Sequence, residues 1–231
     1  MVEVRRTHIA IVVAMVPLLV VVMGCISGIS GRFGTSNADQ LNALRWKEAY
    51  GPTSSERIQQ MRSLAAAAAS APDDQQLAAV ARLEQQLSKE TDVLVRREVV
   101  RTLGAFNVPS AEEALKIAGE DDDPVVRVEA CRSWGQRKSE AAVQELSRFL
   151  VHSEDVDVRL AAVEALGQIP SSPSTSVLLP IVNDRDPAVQ LAAMASLRKV
   201  TGQSIGDDVT KWRQYAAQYT AQDGATLAES R

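Results

Sequence analysis

The sequence predicts an all-α protein in which pairs of antiparallel helices stack into a solenoid. Three observations indicate this fold: a segment that recurs at a fixed period, aspartates placed to cap helices, and a shortage of aromatic side chains. The chain has 231 residues, of which 45% are hydrophobic and only 4% are aromatic. Alanine, valine and leucine must therefore form the core, which favours closely packed helices over a β-sandwich.

One segment of the sequence recurs four times with many positions in common. The polar residue that follows its central valine recurs at intervals of 31, 32 and 31 residues. In every copy an aspartate precedes that residue by four positions, a small residue follows it by six and a large apolar residue by seven. Self-similarity at a fixed period of this size indicates a repeat architecture. The copies span 91–104, 122–135, 154–167 and 185–198.

Each copy has the signals of an amphipathic helix that is followed by a second helix. Aspartate is a favoured N-cap residue, and Pro124 and Pro187 stand at the first helical position, where a missing N–H costs nothing. A small residue beside the apolar stripe would let a neighbouring helix approach, and a glycine is expected to end the helix. Because neither helix can bury its apolar face alone, the pairs are expected to stack. Second helices are predicted near 111–118, 140–151 and 174–183.

The four copies, over about 92–200, resemble the HEAT repeat in the short form named from phycobilisome lyases, whose pattern is D-x-x-V-R-x-x-A-x-x-A-L-G. This resemblance implies a right-handed α-solenoid of about five HEAT-like helix pairs. It also implies that each repeat arginine pairs with the cap aspartate of an adjacent unit, with Gln190 ending the series. The expected ladder comprises Asp92, Arg96, Asp123, Arg127, Asp155, Arg159 and Asp186.

The solenoid is predicted to extend beyond the four matched copies, over 53–221. Segments 55–69 and 73–87 are interpreted as a helix pair without the Val-Arg signature, as expected for a terminal repeat. A capping helix is predicted to run through Tyr219, and a disordered tail is expected over 222–231. Ahead of the solenoid, we expect a flexible tether over 25–38, rich in glycine and serine, and a short helix over 39–52.

The amino terminus has the features of a targeting segment. Arg5 and Arg6 precede an apolar run of 15 residues, Ile9–Met23, which is shorter than the roughly 20 residues that a spanning helix needs. The run leads into Val-Met-Gly-Cys, which resembles the lipobox of bacterial lipoproteins and implies a signal peptide over 1–24 with lipid attachment at Cys25. An uncleaved signal anchor extending to residue 29 and ordinary cleavage with release are the alternatives. All three predict export to the periplasmic side of the cell envelope.

Composition and missing motifs exclude several classes of function. The 25 basic and 29 acidic residues give a formal charge of −4, so no basic excess is available to neutralise a nucleic acid. Two cysteines and two histidines are too few for a zinc ribbon or a disulfide scaffold. No phosphate-binding glycine loop, zinc-protease motif or serine-hydrolase motif occurs. We therefore predict that the chain is not an enzyme and has no catalytic residue, metal, cofactor or small-molecule substrate. Cys131 is expected to be buried.

The predicted function is a noncatalytic scaffold of the bacterial cell envelope that is tethered to a membrane and binds a protein partner. The second helices would offer their outward side chains along one curved face, where mixed charge favours a polar contact. The alternatives are an enzyme subunit or a bilin-lyase-type carrier on the same scaffold, and a purely structural envelope protein. The candidate partner-binding residues are Glu112, Glu113, Lys116, Glu140, Gln144 and Arg148.

Overall fold

The computed structural model describes residues 51–229 apart from residue 69, together with Asn42, Arg45 and Ala49, and its side chains are described as far as residue 220. The predicted signal peptide or anchor, Cys25 and the tether lie outside the described residues. The chain divides into two compact units, Met1–Trp46 and Lys47–Arg231, and every helix named below belongs to the second. In the described ranges, no helix is both long enough and apolar enough to cross a membrane.

Between residues 51 and 229, residue 69 apart, the chain forms ten α-helices and no strand, in five successive pairs, which confirms the all-α class and the helix pairs predicted from the repeat. Each pair joins a first helix to a second helix through a short connection. The pairs are α1 Ser54–Ala68 with α2 Asp73–Lys89, α3 Val93–Gly104 with α4 Pro109–Ala118, α5 Pro124–Arg137 with α6 Glu140–His152, α7 Val156–Leu166 with α8 Ser172–Ile181, and α9 Pro187–Thr201 with α10 Val209–Glu229.

The repeat aspartates begin four of the first helices, as the sequence predicts. The side chain of each accepts a hydrogen bond from a backbone N–H two or three positions later, and so satisfies a donor that the helix itself cannot. At α3, the hydroxyl of Ser54 also donates to the cap carboxylate at 2.5 Å, and this bond lowers the pKa of Asp92. The four caps are Asp92, Asp123, Asp155 and Asp186.

The first helices form a continuous layer. α1, α3, α5, α7 and α9 pack against one another in chain order, and the second helix of each of the first four pairs packs against the first helix of the next pair. Consecutive second helices touch much less, and α4 and α6 make the sparsest contact among them. The core therefore follows the first-helix layer, where the repeat valines and the large apolar residues are fully buried. These residues are Val95, Val126, Val158, Val189, Leu103, Trp134, Leu166 and Leu197.

The repeat glycines serve close packing, and two of the three also stand at a helix end: α3 ends at Gly104, and Gly167 caps α7. Gly135 lies inside α5, which continues to Arg137, and the three glycines of the repeat all have ordinary negative φ. A Cβ added to Gly135 would lie 2.8 Å from the Cβ of Ala165 on the next first helix. Gly104 and Gly167 face serines of the next first helix at similarly short distances. The prediction that glycine ends the helix is thus confirmed at Gly104 and Gly167 and wrong at Gly135, where the tight contact between helices is what excludes a side chain.

The last helix also differs from the sequence prediction. The backbone of α10 is helical as far as Glu229, whereas the sequence predicts a disordered tail from residue 222. No proline interrupts 209–229, and the segment is rich in alanine and glutamine, both of which tolerate helix well.

Replacing Gly135 with valine tests the close approach. The added side chain would overlap Ala165, whose Cβ and backbone cannot rotate away, so Gly135→Val should reduce the free energy of unfolding by about 2–3 kcal/mol in a urea titration. Gln136→Val is the matched control, because it places the same side chain at the exposed neighbouring position of α5. Equal stability of the two variants would contradict the packing described here.

Candidate functional site

A groove opens where α4 and α6 diverge. It has a volume of about 730 Å³, within the range of about 300–1,000 Å³ that is usual for ligand sites. The connection after α4, the start of α5, the end of α6 and the connection to α7 form its walls. The lining residues are Gly119, Glu120, Arg127, Arg148, Phe149, His152, Ser153, Glu154 and Asp155.

The floor of the groove is apolar and its walls are polar. Phe149 is almost completely buried and lies directly on Gly119, where an added Cβ would be 2.6 Å from the ring. On one wall, Arg148 donates to Glu120 and to Glu145, each at 3.0 Å. The ion pair with Glu120 is the main cause of a raised pKa for Arg148, so this arginine stays charged and engaged.

Arg96 has a fully occupied guanidinium. Its Nε and Nη2 atoms donate to the two carboxylate oxygens of Asp121, at 2.9 and 3.0 Å, in the paired geometry that suits arginine and carboxylate. Its Nη1 atom points the other way and donates to the backbone carbonyls of Glu90 and Thr91. Asp121 precedes the cap of α5, Asp123, by two positions.

An arginine also pairs with an acidic residue at two other junctions between helix pairs, there through a single guanidinium nitrogen. Arg159 pairs with Asp184, and Arg57 pairs with Glu90 at 2.5 Å. Each acidic partner again stands two positions before a cap residue and also accepts the backbone N–H of that residue. We call these three contacts the rungs of the solenoid.

The predicted ladder is therefore wrong in its choice of partner. The cap aspartates Asp123 and Asp186 accept hydrogen bonds from their own helices, and the repeat arginines reach the acidic residue two positions earlier. Arg57 is a rung residue that the sequence analysis missed, because the first pair lacks the Val-Arg signature. The spacing from an acidic residue to the following cap is the signal that could have revealed it.

Arg127 is the repeat arginine that has no rung. At the junction where its partner would stand, two positions before Asp155, the chain has Ser153. The Nη1 atom of Arg127 donates to the carbonyls of Asp121 and Asp122, at 2.7 and 2.9 Å. No carboxylate of the described residues forms an ion pair with Arg127. Its Nε and Nη2 atoms, which bind a carboxylate in Arg96, have no acceptor in the described part of the chain.

The predicted partner-binding residues lie on α4 and α6, and the structure brings one of them into the groove. Arg148 lines it, while Glu140 and Gln144 are exposed on α6. Glu113 pairs with Lys116 at 2.8 Å on the surface of α4. Glu112 forms an ion pair with Arg137 of α5, in the next helix pair, at 3.6 Å.

Two candidate reactive side chains have ordinary structural surroundings. Cys131 is fully buried, as predicted, and burial raises the pKa of its thiol because the thiolate would lose its hydration. His152 is exposed at the end of α6, and its Nδ1 atom lies 3.0 Å from the carbonyl of Arg148. The described residues contain no group of three side chains suited to hold a metal ion.

Comparison with known families gives one match. The sequence pattern of the family described as HEAT repeats matches residues 80–155, 111–198 and 145–212. These overlapping ranges together cover 80–212, which is more than half of the 231 residues. Comparison with curated proteins gives no match.

Solved structures with a similar fold include two from enzymes. Human deoxyhypusine hydroxylase in complex with glycerol is 26% identical over 54% of this chain and 44% of its own chain, with a TM-score of 0.48. The complex of CpcE and CpcF of phycocyanin lyase from Nostoc sp. PCC7120 is 19% identical over 79% of this chain and 72% of its own, with a TM-score of 0.47. This chain thus spans less than half of the hydroxylase.

These findings correct one of the sequence predictions. The chain was expected not to be an enzyme, but the solved structures that resemble it include a hydroxylase and a lyase complex. The absence of familiar catalytic motifs therefore does not assign this chain to a noncatalytic class.

The rungs give a direct comparison between two arginines of the same repeat position. Arg96→Gln leaves the largely buried carboxylate of Asp121 without its partner, so it should reduce the free energy of unfolding by about 1–3 kcal/mol. Arg127→Gln should change it by no more than about 0.5 kcal/mol. Gln190 explains why: it occupies the repeat position naturally and still donates to the carbonyl of Asp184, at 2.6 Å.

Urea titrations of both variants and the wild-type chain provide the measurement. A loss of stability in Arg127→Gln as large as that in Arg96→Gln would mean that Arg127 has a structural partner.

Proposed function

This chain belongs to the HEAT-repeat family, and on that premise we propose that it is a protein-interaction scaffold that holds a protein partner against its second helices. The observation that carries the proposal is the difference in packing between the first-helix layer and the second helices. The first helices pack closely against one another, whereas the second helices touch one another sparsely and leave a groove between α4 and α6. That side of the solenoid has surface available for a partner.

The surface on α4 and α6 suits a polar, reversible contact. Exposed Glu113, Glu140 and Gln144 lie beside the partly exposed Lys116 and Arg148, so both signs of charge are present. Protein interfaces of this kind carry hydrogen bonds and bridging water around a smaller apolar centre. The apolar floor at Phe149 could supply that centre.

The proposal includes a membrane tether at the amino terminus. Its support is the sequence: two arginines, the apolar run Ile9–Met23 and the Val-Met-Gly-Cys motif that ends in Cys25. Two or three acyl chains would hold the protein on a bilayer without a spanning helix. The solenoid would then face the periplasmic side of the cell envelope.

Intact-mass spectrometry of the protein extracted from membranes tests the tether. We expect a mature chain that starts at Cys25 and carries the added mass of a lipid, and we expect Cys25→Ser to lose both the processing and the lipid. A mass equal to the unprocessed chain, or to a processed chain without lipid, would contradict lipid attachment.

A second candidate function is a subunit of an enzyme, or a carrier that holds a small molecule as lyase-type proteins do. The groove favours it, because a cavity of about 730 Å³ with an apolar floor and arginine in its walls has the size and chemistry of a ligand site. A chromophore or other small molecule that copurifies with the chain, and is lost when Ser153 on the wall of the groove is replaced with tryptophan, would favour this function.

Site-specific photo-cross-linking tests the scaffold function. A benzophenone amino acid at Gln144, exposed on α6, should form adducts with a defined partner in membranes, because this position faces the proposed surface. The same amino acid at Arg132, exposed on α5 of the first-helix layer, is the matched control and should give severalfold fewer adducts. Equal labelling from both positions, or adducts from Arg132 alone, would contradict the assigned surface.

A further inference from the structure

We propose that Arg127 binds the carboxylate of an acidic side chain on the protein partner, so that the partner supplies the rung that the solenoid lacks between its third and fourth helix pairs. This inference rests on the proposed scaffold function and names the chemistry of its contact. Four junctions connect the five described pairs, and three of them have a rung. The fourth junction has Arg127 at the arginine position, but it has Ser153 at the position that the acidic residue occupies elsewhere.

The chain itself provides the template for the site. In Arg96, Nη1 is held by two backbone carbonyls while Nε and Nη2 grip Asp121 with two parallel hydrogen bonds. In Arg127, Nη1 is held by two backbone carbonyls in the same way, and the gripping edge has no acceptor among the described residues. A guanidinium that is already fixed in this orientation loses little entropy when a carboxylate arrives.

The neighbouring charges do not occupy this edge. Arg148 is engaged by Glu120 and Glu145, and the carboxylate of Asp155 accepts the N–H groups at the start of α7. Arg127 lines the groove, so an acidic group from outside can reach it.

The same junction lacks the other polar contacts that join consecutive first helices. Hydroxyl groups of α3, α5 and α9 each donate to a backbone carbonyl of the preceding first helix, but the corresponding residue of α7 is Ala165. Buried Glu98 and Glu129 bind arginines across their junctions, but the next residue in that series is Ala161. Between α5 and α7 there remains a weak contact of the Cys131 thiol with a carbonyl at 3.9 Å. Apolar packing therefore holds this junction, and its stacking does not depend on Arg127.

The surroundings favour a carboxylate over a phosphate. Glu120 and Glu154 also line the groove, and a phosphate group with a charge of about −1.5 to −2 would be repelled by them more strongly than a carboxylate with a single charge. Phe149 on the floor of the groove offers apolar contact to the rest of a peptide. The occupant that fits is thus an aspartate or glutamate on an otherwise uncharged segment of a partner protein.

The test is an NMR titration of the full-length chain in detergent micelles, labelled with ¹⁵N at its arginines. The probe is the capped peptide acetyl-Ala-Glu-Ala-amide, with acetyl-Ala-Gln-Ala-amide as the neutral control and inorganic phosphate as a third arm. We expect the glutamate peptide to shift the Nε–H signal of Arg127 in a saturable manner. The signals of Arg96 and Arg159, whose rungs are filled, should not move.

Two variants of Ser153 provide matched controls. Ser153→Asp places a carboxylate at the rung position of this junction and should weaken binding of the peptide at least about tenfold, because the internal group competes at high effective concentration. Ser153→Asn has almost the same shape without the charge and should bind as the wild-type chain does. Circular dichroism of both variants confirms that the helices are retained.

Each outcome has a definite meaning. Equal shifts with the glutamate and glutamine peptides, a response to phosphate alone, equal shifts at Arg96 and Arg159, or undiminished binding by Ser153→Asp would each overturn the proposed site. If the peptide fails to bind while cross-linking from Gln144 still captures a partner, the proposed carboxylate site at Arg127 is contradicted and the scaffold function is supported. If cross-linking fails as well, both the carboxylate site and the scaffold function are contradicted.

Discussion

The close approach of consecutive first helices is the constraint on which the rest of the structure depends. Three glycines leave no side chain between one first helix and the next, and each meets a small residue so closely that a Cβ would overlap it. This contact buries the repeat valines completely and sets the spacing of the layer. The contacts are Gly104 with Ser133, Gly135 with Ala165, and Gly167 with Ser196.

The tight first layer has a consequence for the second. Because the first helices hold the stack together, neighbouring second helices need not touch, and α4 and α6 separate far enough to leave the groove. The rungs reinforce the stack at three junctions, and residues of the junction without a rung line the groove. Stacking of the third and fourth helix pairs does not need a rung. A carboxylate from a partner can therefore take the place of the missing acidic residue. Structure and proposed binding are linked through this single arginine, Arg127.

Local signals in the sequence predict the helices well. They predict contacts between residues that are distant in the sequence much less well. Cap aspartates and helical spacing of apolar residues act within one turn, so the pairs and their starts could be read from residues such as Asp123 and Pro124. The rung partners could not, because Asp121 and Asp123 differ by two positions and only the folded chain decides which carboxylate is already occupied. Gly135 was misread for a similar reason: its neighbour Ala165 is 30 positions away in the sequence. The groove itself has no sequence signal, since it results from the separation of two helices.

Native-state hydrogen exchange of the full-length chain, followed residue by residue, tests the central claim that the first-helix layer holds the fold. Amides of α3, α5 and α7 have a first helix on both sides, so they should exchange only through global unfolding and be the slowest in the described part of the chain. Amides of α4 and α6 should exchange faster through local opening. Equal protection of both layers, or slower exchange in the second helices, would contradict this account.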